Sequence, residues 1–128
     1  MNKLFFLPLL IYLNFSYGQT PSNDLHWQLL WKDDFNSLNT EIWNVTNNDD
    51  HGGEPEMYRT QNCFISNGNL VLRAKQENYS GHSYTSGEIT TNQPFNLQYG
   101  YIEARIKLPY GNGLWPAFWT WTGDPDYQ

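Results

Sequence analysis

The sequence predicts an all-β chain, an antiparallel sandwich or barrel, and three observations lead there. Helical periodicity is nearly absent from the 128 residues. Short runs of β-favouring residues recur instead. Clusters of Gly, Asn, Pro and Asp separate them, the punctuation of short antiparallel strands.

The chain starts with a basic residue, Lys3, and an almost wholly apolar run from Leu4 to Leu13, then the polar Asn14-Phe15-Ser16-Tyr17-Gly18. That order predicts a secretory signal peptide over residues 1–18, cleaved before Gln19. The apolar run falls far below the roughly 20 residues a spanning helix needs. The mature protein is therefore expected outside the cytoplasm, extracellular or periplasmic, and off the membrane once cleaved. Trp27 to Trp31 opens the domain, and Asp33 to Asn39 is turn-rich. Thr46 to Glu54 is polar and reads as a surface loop. Cys63-Phe64-Ile65 and Leu70 to Lys75 flank Ser66-Asn67-Gly68-Asn69, a hairpin signal built on Asn-Gly. Thr85 to Thr91 is a further strand and Tyr99 to Leu108 a longer one. Gly111-Asn112-Gly113 then turns the chain into a last strand, Leu114 to Thr122.

Side chains switch faces at every residue of a strand. In the long strand Ile102, Ala104, Ile106 and Leu108 share one face, expected in the core, against Tyr101, Glu103, Arg105 and Lys107 on the other. In the last strand Trp115, Ala117, Trp119 and Trp121 share a face, and Pro116, Phe118 and Thr120 oppose it.

Composition excludes several functions. Removing the 18-residue leader leaves 110 residues, enough for one small domain. Without Lys3 there are 6 basic residues against 13 acidic ones, a net charge of −7. A polyanion binder carries the opposite sign, so nucleic acid is not the expected partner. Aromatics reach 17 % and charged residues only 16 %, the reverse of a disordered chain. Cys63 is the sole cysteine, so no intrachain disulfide can form, and it is expected as a small buried hydrophobe. His26, His51 and His82 lack zinc-ligand spacing. Two sequons, Asn44-Val45-Thr46 and Asn78-Tyr79-Ser80, would matter only in a eukaryotic secretory route.

Three tryptophans at alternate positions either fill a core or form a platform. Phe118 offers the opposite face an apolar anchor, and the domain is acidic. The apolar C–H faces of sugar rings stack on indoles, so a platform beside carboxylates suits a neutral polysaccharide. Glu54 and Glu56 could share a face on a strand, but beside His51, Gly52, Gly53 and Pro55 they read more simply as a solvated loop. Glu88 and Glu103, with Arg105 and Lys107 near, fit solvated or ion-paired faces better than sugar contacts.

The ordered set of segments resembles glycoside hydrolase family 16, the laminarinases, lichenases, agarases and carrageenases. The segments are Tyr99 to Pro109 with Gly113-Leu114-Trp115-Pro116-Ala117-Phe118-Trp119, preceded in order by Trp31 to Phe35, Trp43-Asn44, Asn67 to Leu72 and Tyr84 to Ile89. The resemblance implies a concanavalin-like antiparallel β-jelly-roll sandwich whose concave face is the glycan cleft. It implies endo-acting hydrolysis of β-glucan with retention, by two carboxyl groups roughly 5–5.5 Å apart. Trp115, Trp119 and Trp121 become expected sugar contacts. Glu54 matches the Glu of an Asn-Glu-x-Gln-x-x-Tyr-like cleft segment, although Gly53 replaces its Asn and Glu56 its Gln. No cofactor is required. A structural calcium is implied at the places of Asp33, Asp34 and the Gly68 turn.

The family's Glu-x-Asp-x-x-Glu or Glu-x-Asp-x-Glu strand does not occur in this sequence. Residues 19–128 are accordingly expected as the N-terminal part of such a domain, with the catalytic carboxylates beyond Gln128 and the 128-residue chain itself inactive. Half a sandwich leaves apolar faces uncovered, so poor solubility is expected of residues 19–128 alone. Two alternatives stand beside the enzyme: a non-catalytic carbohydrate-binding sandwich or remnant of one, and a secreted adhesion or structural domain using the aromatic face for protein contacts.

Overall fold

The computed structural model describes residues 27–92 and 98–121. They belong to two units divided after Leu97, each considered by itself. The expected leader and the residues after Trp121 lie outside the described residues.

Among the described residues the first unit has seven short strands: β1 Trp43–Val45, β2 Glu56–Tyr58, β3 Cys63–Ser66, β4 Asn69–Leu72, β5 Lys75–Tyr79, β6 His82–Ser86 and β7 Ile89–Thr91. A 3₁₀ turn, Thr60–Asn62, leads into β3. The strands form three sheets ordered β1-β7, β2-β6-β5 and β3-β4. This is an all-β chain of incomplete sheets, the jelly-roll sandwich class that the sequence predicts. The ladders are antiparallel except one: β2 runs parallel to β6, with Met57 opposite Thr85.

Local chemistry explains both hairpins. Between β3 and β4, Asn67 and Gly68 take φ of 50° and 68°. Two left-handed central residues make a type I′ turn, whose twist matches the strands, and Asn-Gly adopts it at least cost. Between β5 and β6, Ser80 and Gly81 take φ of 48° and 87°. Serine gives a weaker turn signal there, and a register shift between Gln76 and Tyr79 accompanies it. The strand expected over Thr85 to Thr91 is two strands, because the chain breaks at Gly87 and Glu88.

The buried centre of this unit is more polar than apolar. Met57 and Cys63 are its buried hydrophobes, beside Thr46, Asn62 and Thr85. Burial pushes the Cys63 thiol pKa up, which suits the expected inert role. Asn62, 1 % exposed, and Thr85, fully buried, survive there because their polar atoms are paired. Asn62 Nδ2 donates to Thr85 Oγ1 at 2.9 Å and to the Ser86 carbonyl at 3.1 Å. Its Oδ1 accepts from Arg73 Nε at 3.4 Å. Thr85 Oγ1 in turn donates to Glu77 Oε1 at 2.6 Å.

Glu77 closes this network at its rim, touching the Lys75 ammonium and lying 3.3 Å from Arg59 Nη1. The Lys75 and Thr85 hydrogen bonds, then the Lys75 and Arg59 charges, overcome burial and pull its pKa from 4.5 down to about 2. A depressed carboxyl stabilises the fold above its ordinary value and loses that contribution as pH falls through the folded one. Stability should therefore decline from about pH 4.5 towards about pH 2. Glu77→Gln should flatten that limb in acid denaturation followed by circular dichroism; an unchanged limb would count against this.

In the second unit no strand is assigned among residues 98–121, although Gly111 to Gly113 form the expected turn. Ile102, Ile106 and Leu108 are exposed, so the face expected in the core is not buried among the described residues. A strand is secured by its neighbour's ladder and by burial of one face. Neither is present for these segments among the described residues, and the alternating pattern alone does not supply them. Phe118, expected as the anchor of the last strand, is exposed as well.

Candidate functional site

Three tryptophans stand out on the last segment of the second unit. Trp115 is 85 % exposed, Trp119 67 % and Trp121 63 %. The rings of Trp119 and Trp121 stack at 6.0 Å between centroids and 17° between planes. Near-parallel indoles two residues apart are what an extended backbone gives when alternate side chains project to one side. Exposed apolar rings grouped in this way make a candidate contact surface. Two of the other tryptophans pack together instead. Trp43 lies edge-on to Trp31 at 5.4 Å and stacks with Phe35 at 5.6 Å, a structural cluster at the start of the first unit.

Glu54 ends the loop before β2. Its Oε2 accepts from the Tyr58 hydroxyl at 2.8 Å. Burial first, and then that carboxylate, push the Tyr58 phenol well above its ordinary range, so Tyr58 remains a donor that fixes Glu54. Glu56 belongs to β2 while Glu54 precedes it, so the two do not share one strand face.

A polar cleft of about 440 Å³ lies in the first unit, lined by Asn44, Asn47, Asp49, His51, Glu88 and Thr90 among others. Glu88 sits where β6 gives way to β7. Its Oε1 accepts from Thr46 Oγ1 at 2.6 Å, and its Oε2 lies 3.0 Å from His51 Nε2. Its partners among the described residues are thus Thr46 and His51, not the Arg105 and Lys107 near which the sequence set it. His51 itself has φ of 46°, a left-handed conformation that costs about 1 kcal/mol or more unless the surroundings impose it. Sequence reasoning missed His51: its partner is 37 positions away, and no local motif signals such a pairing.

The carboxylates expected to serve calcium are engaged otherwise. Asp33 accepts from the Phe35 amide at 2.7 Å and from the Trp43 indole at 2.8 Å. Asp34 pairs with Lys32 at 2.8 Å. Gly68 lies in the type I′ turn. Among the described residues no three His, Cys, Asp or Glu side chains form a metal-holding group.

The strands make the described residues all-β, and the family match puts the chain among jelly-roll sandwiches of the glycoside hydrolase type. More particularly, it belongs to glycosyl hydrolases family 16, whose profile matches residues 54–128. A beta-glucanase of Rhodothermus marinus is 33 % identical over 102 residues, covering 73 % of this chain and 36 % of the relative. A glucan endo-1,3-beta-glucosidase of Cryptopygus antarcticus is 31 % identical, covering 99 % of this chain and 48 % of the relative. The clotting factor G alpha subunit of Tachypleus tridentatus is 34 % identical, covering 77 % and 15 %. The chain thus spans less than half the length of these relatives.

Proposed function

We propose that the protein is a secreted, endo-acting, retaining β-glucan hydrolase, and that this chain supplies binding surface to it. The observation that carries the reading is the exposed indole ribbon Trp115, Trp119 and Trp121 within the family-matched residues. Indoles stacked on pyranose faces would hold a neutral glucan. Glu54, positioned by Tyr58, would accept a sugar hydroxyl at low entropic cost because its rotamer is already fixed. The net charge of −6 repels sulfated chains and favours an uncharged polysaccharide.

Retention needs two carboxyls with opposed protonation states. One attacks the anomeric carbon while the other protonates the departing glycosidic oxygen. The second then deprotonates a water, which displaces the first and releases the sugar. Neither role is assigned to a residue of this chain. Export rests on the basic start and apolar run of residues 1–18. The test is hydrolysis of a soluble β-1,3-glucan by the full-length protein, followed by proton NMR of the first product. Initial release of the β-anomer is expected. No hydrolysis with intact glucan binding would favour the carbohydrate-binding sandwich.

A further inference from the structure

The loop of residues 46–54 borders the polar cleft, and its backbone is held by the Thr46 amide on the Glu88 carbonyl, the Asn48 amide on the Tyr58 carbonyl, and the Gly53 and Glu54 amides on the Asp50 carbonyl. Asn48, His51, Gly52 and Gly53 all take positive φ, at 54°, 46°, 85° and 123°. One isolated bridge, Asp49 to Tyr58, joins it to β2. Side chains from distant positions add to these bonds, three of them through residues 48, 50 and 51. His51 Nε2 meets Glu88 Oε2 at 3.0 Å, His82 Nε2 meets Asp50 Oδ2 at 3.5 Å, and the Tyr79 hydroxyl donates to Asn48 at 2.8 Å. Two of these three ties are imidazole–carboxylate pairs, whose strength depends on a proton.

We propose that His51 is a proton-operated latch: protonated, it clamps the Glu88 carboxylate and holds residues 46–54 against the β6–β7 connection as the rim of the cleft; neutral, it loosens that rim. His51 is a positioning residue. The groups facing it are Glu88 from the β6–β7 connection, Asp49 at 3.8 Å and Glu54 from its own loop, and the Tyr58 ring of β2 at 4.9 Å. His82 is the second imidazole, facing Asp50. Burial lowers the His51 pKa, but the Glu88 hydrogen bond and charge, with Asp49 and Glu54, leave it above the ordinary 6.5. A raised imidazole stabilises the docked loop fully below 6.5, and this is lost as pH rises through the folded value. Both side chains are partly exposed, so the effect is a few-fold. A consequence for glucan rests on the function proposed above; the latch itself does not.

The experiment is amide hydrogen exchange in the full-length protein, expressed as protection against intrinsic rates. It follows the Thr46 amide on the Glu88 carbonyl and the Asn48 amide on the Tyr58 carbonyl. Protection should fall about threefold between about pH 5.5 and about pH 8.5 in the wild type. It should be low and flat in His51→Gln and in Glu88→Gln, while His82→Gln keeps the step. Flat protection in the wild type, or a step persisting in His51→Gln, overturns the latch. A matching fall in affinity for a soluble β-1,3-glucan, absent from His51→Gln, supports its control of the cleft. A stepped loop with pH-independent glucan affinity overturns that control. A stepped loop in a protein that binds no glucan at any pH upholds the latch and overturns the glucan reading.

Discussion

Replacing Gly87 by Ala should unfold the first unit more readily than any other single methyl added to one of its glycines. An ideal Cβ at Gly87 would lie 2.6 Å from the Asn62 carbonyl oxygen, 2.9 Å from its carbon and 2.9 Å from Cys63 Sγ. None of these atoms can step aside cheaply. The Asn62 carbonyl accepts the Arg73 amide at 2.8 Å, and the Asn62 side chain is tied into the buried Thr85 network. Cys63 is buried and meets the Glu88 carbonyl at 3.5 Å. Overpacking of this kind costs about 1–3 kcal/mol, and immovable backbone puts the expectation near about 3 kcal/mol. That is about two orders of magnitude in the folding equilibrium. Gly68→Ala and Gly81→Ala are the comparison: their Cβ positions are open, and only positive φ opposes them, a penalty of about 1 kcal/mol. Urea unfolding of the three variants decides it. A Gly87→Ala midpoint no lower than the other two would show that β6 and β7 do not approach the 3₁₀ turn as described.

Gly87 also shows where sequence reasoning stopped. The Asn67-Gly68 hairpin was legible because two residues dictate its turn, and buried Cys63 followed from its strand-like setting. The break after Ser86 was not, since its cause is a close approach of Asn62, 25 positions earlier. Ser80 at φ 48° hid the second hairpin, because serine seldom signals a left-handed turn. The parallel β2–β6 pair follows from long-range assembly that no local pattern encodes. For Tyr99 to Leu108 the alternation produced neither a strand nor a buried face among the described residues, since pairing and burial have to come from a neighbour. Of the candidate site, the tryptophans were legible through period two. The His51–Glu88 pairing was not, because it is tertiary.

Trp119→Ala and Trp115→Ala should each weaken binding of a β-glucan by about 1–2 kcal/mol, or about five- to thirtyfold in Kd. Trp115 is exposed over most of its surface, so truncation removes a free stacking face. Trp119 stacks with Trp121 at 6.0 Å, so its loss also frees the Trp121 ring to leave the ribbon. Residues in contact couple: Trp119→Ala with Trp121→Ala should cost less than the sum of the two single losses. Thermal melts should hardly move, because exposed rings contribute little to the fold. That separates a binding role from a structural one. Tyr110→Ala is the control, an aromatic fully open to solvent outside the alternating ribbon, and should leave affinity unchanged. Isothermal titration on the full-length protein reads all of these. Equal affinities for wild type, Trp115→Ala and Trp119→Ala would remove the indoles from the site. A fall in melting temperature matching the fall in affinity would return them to the core, the other place that alternating tryptophans can occupy.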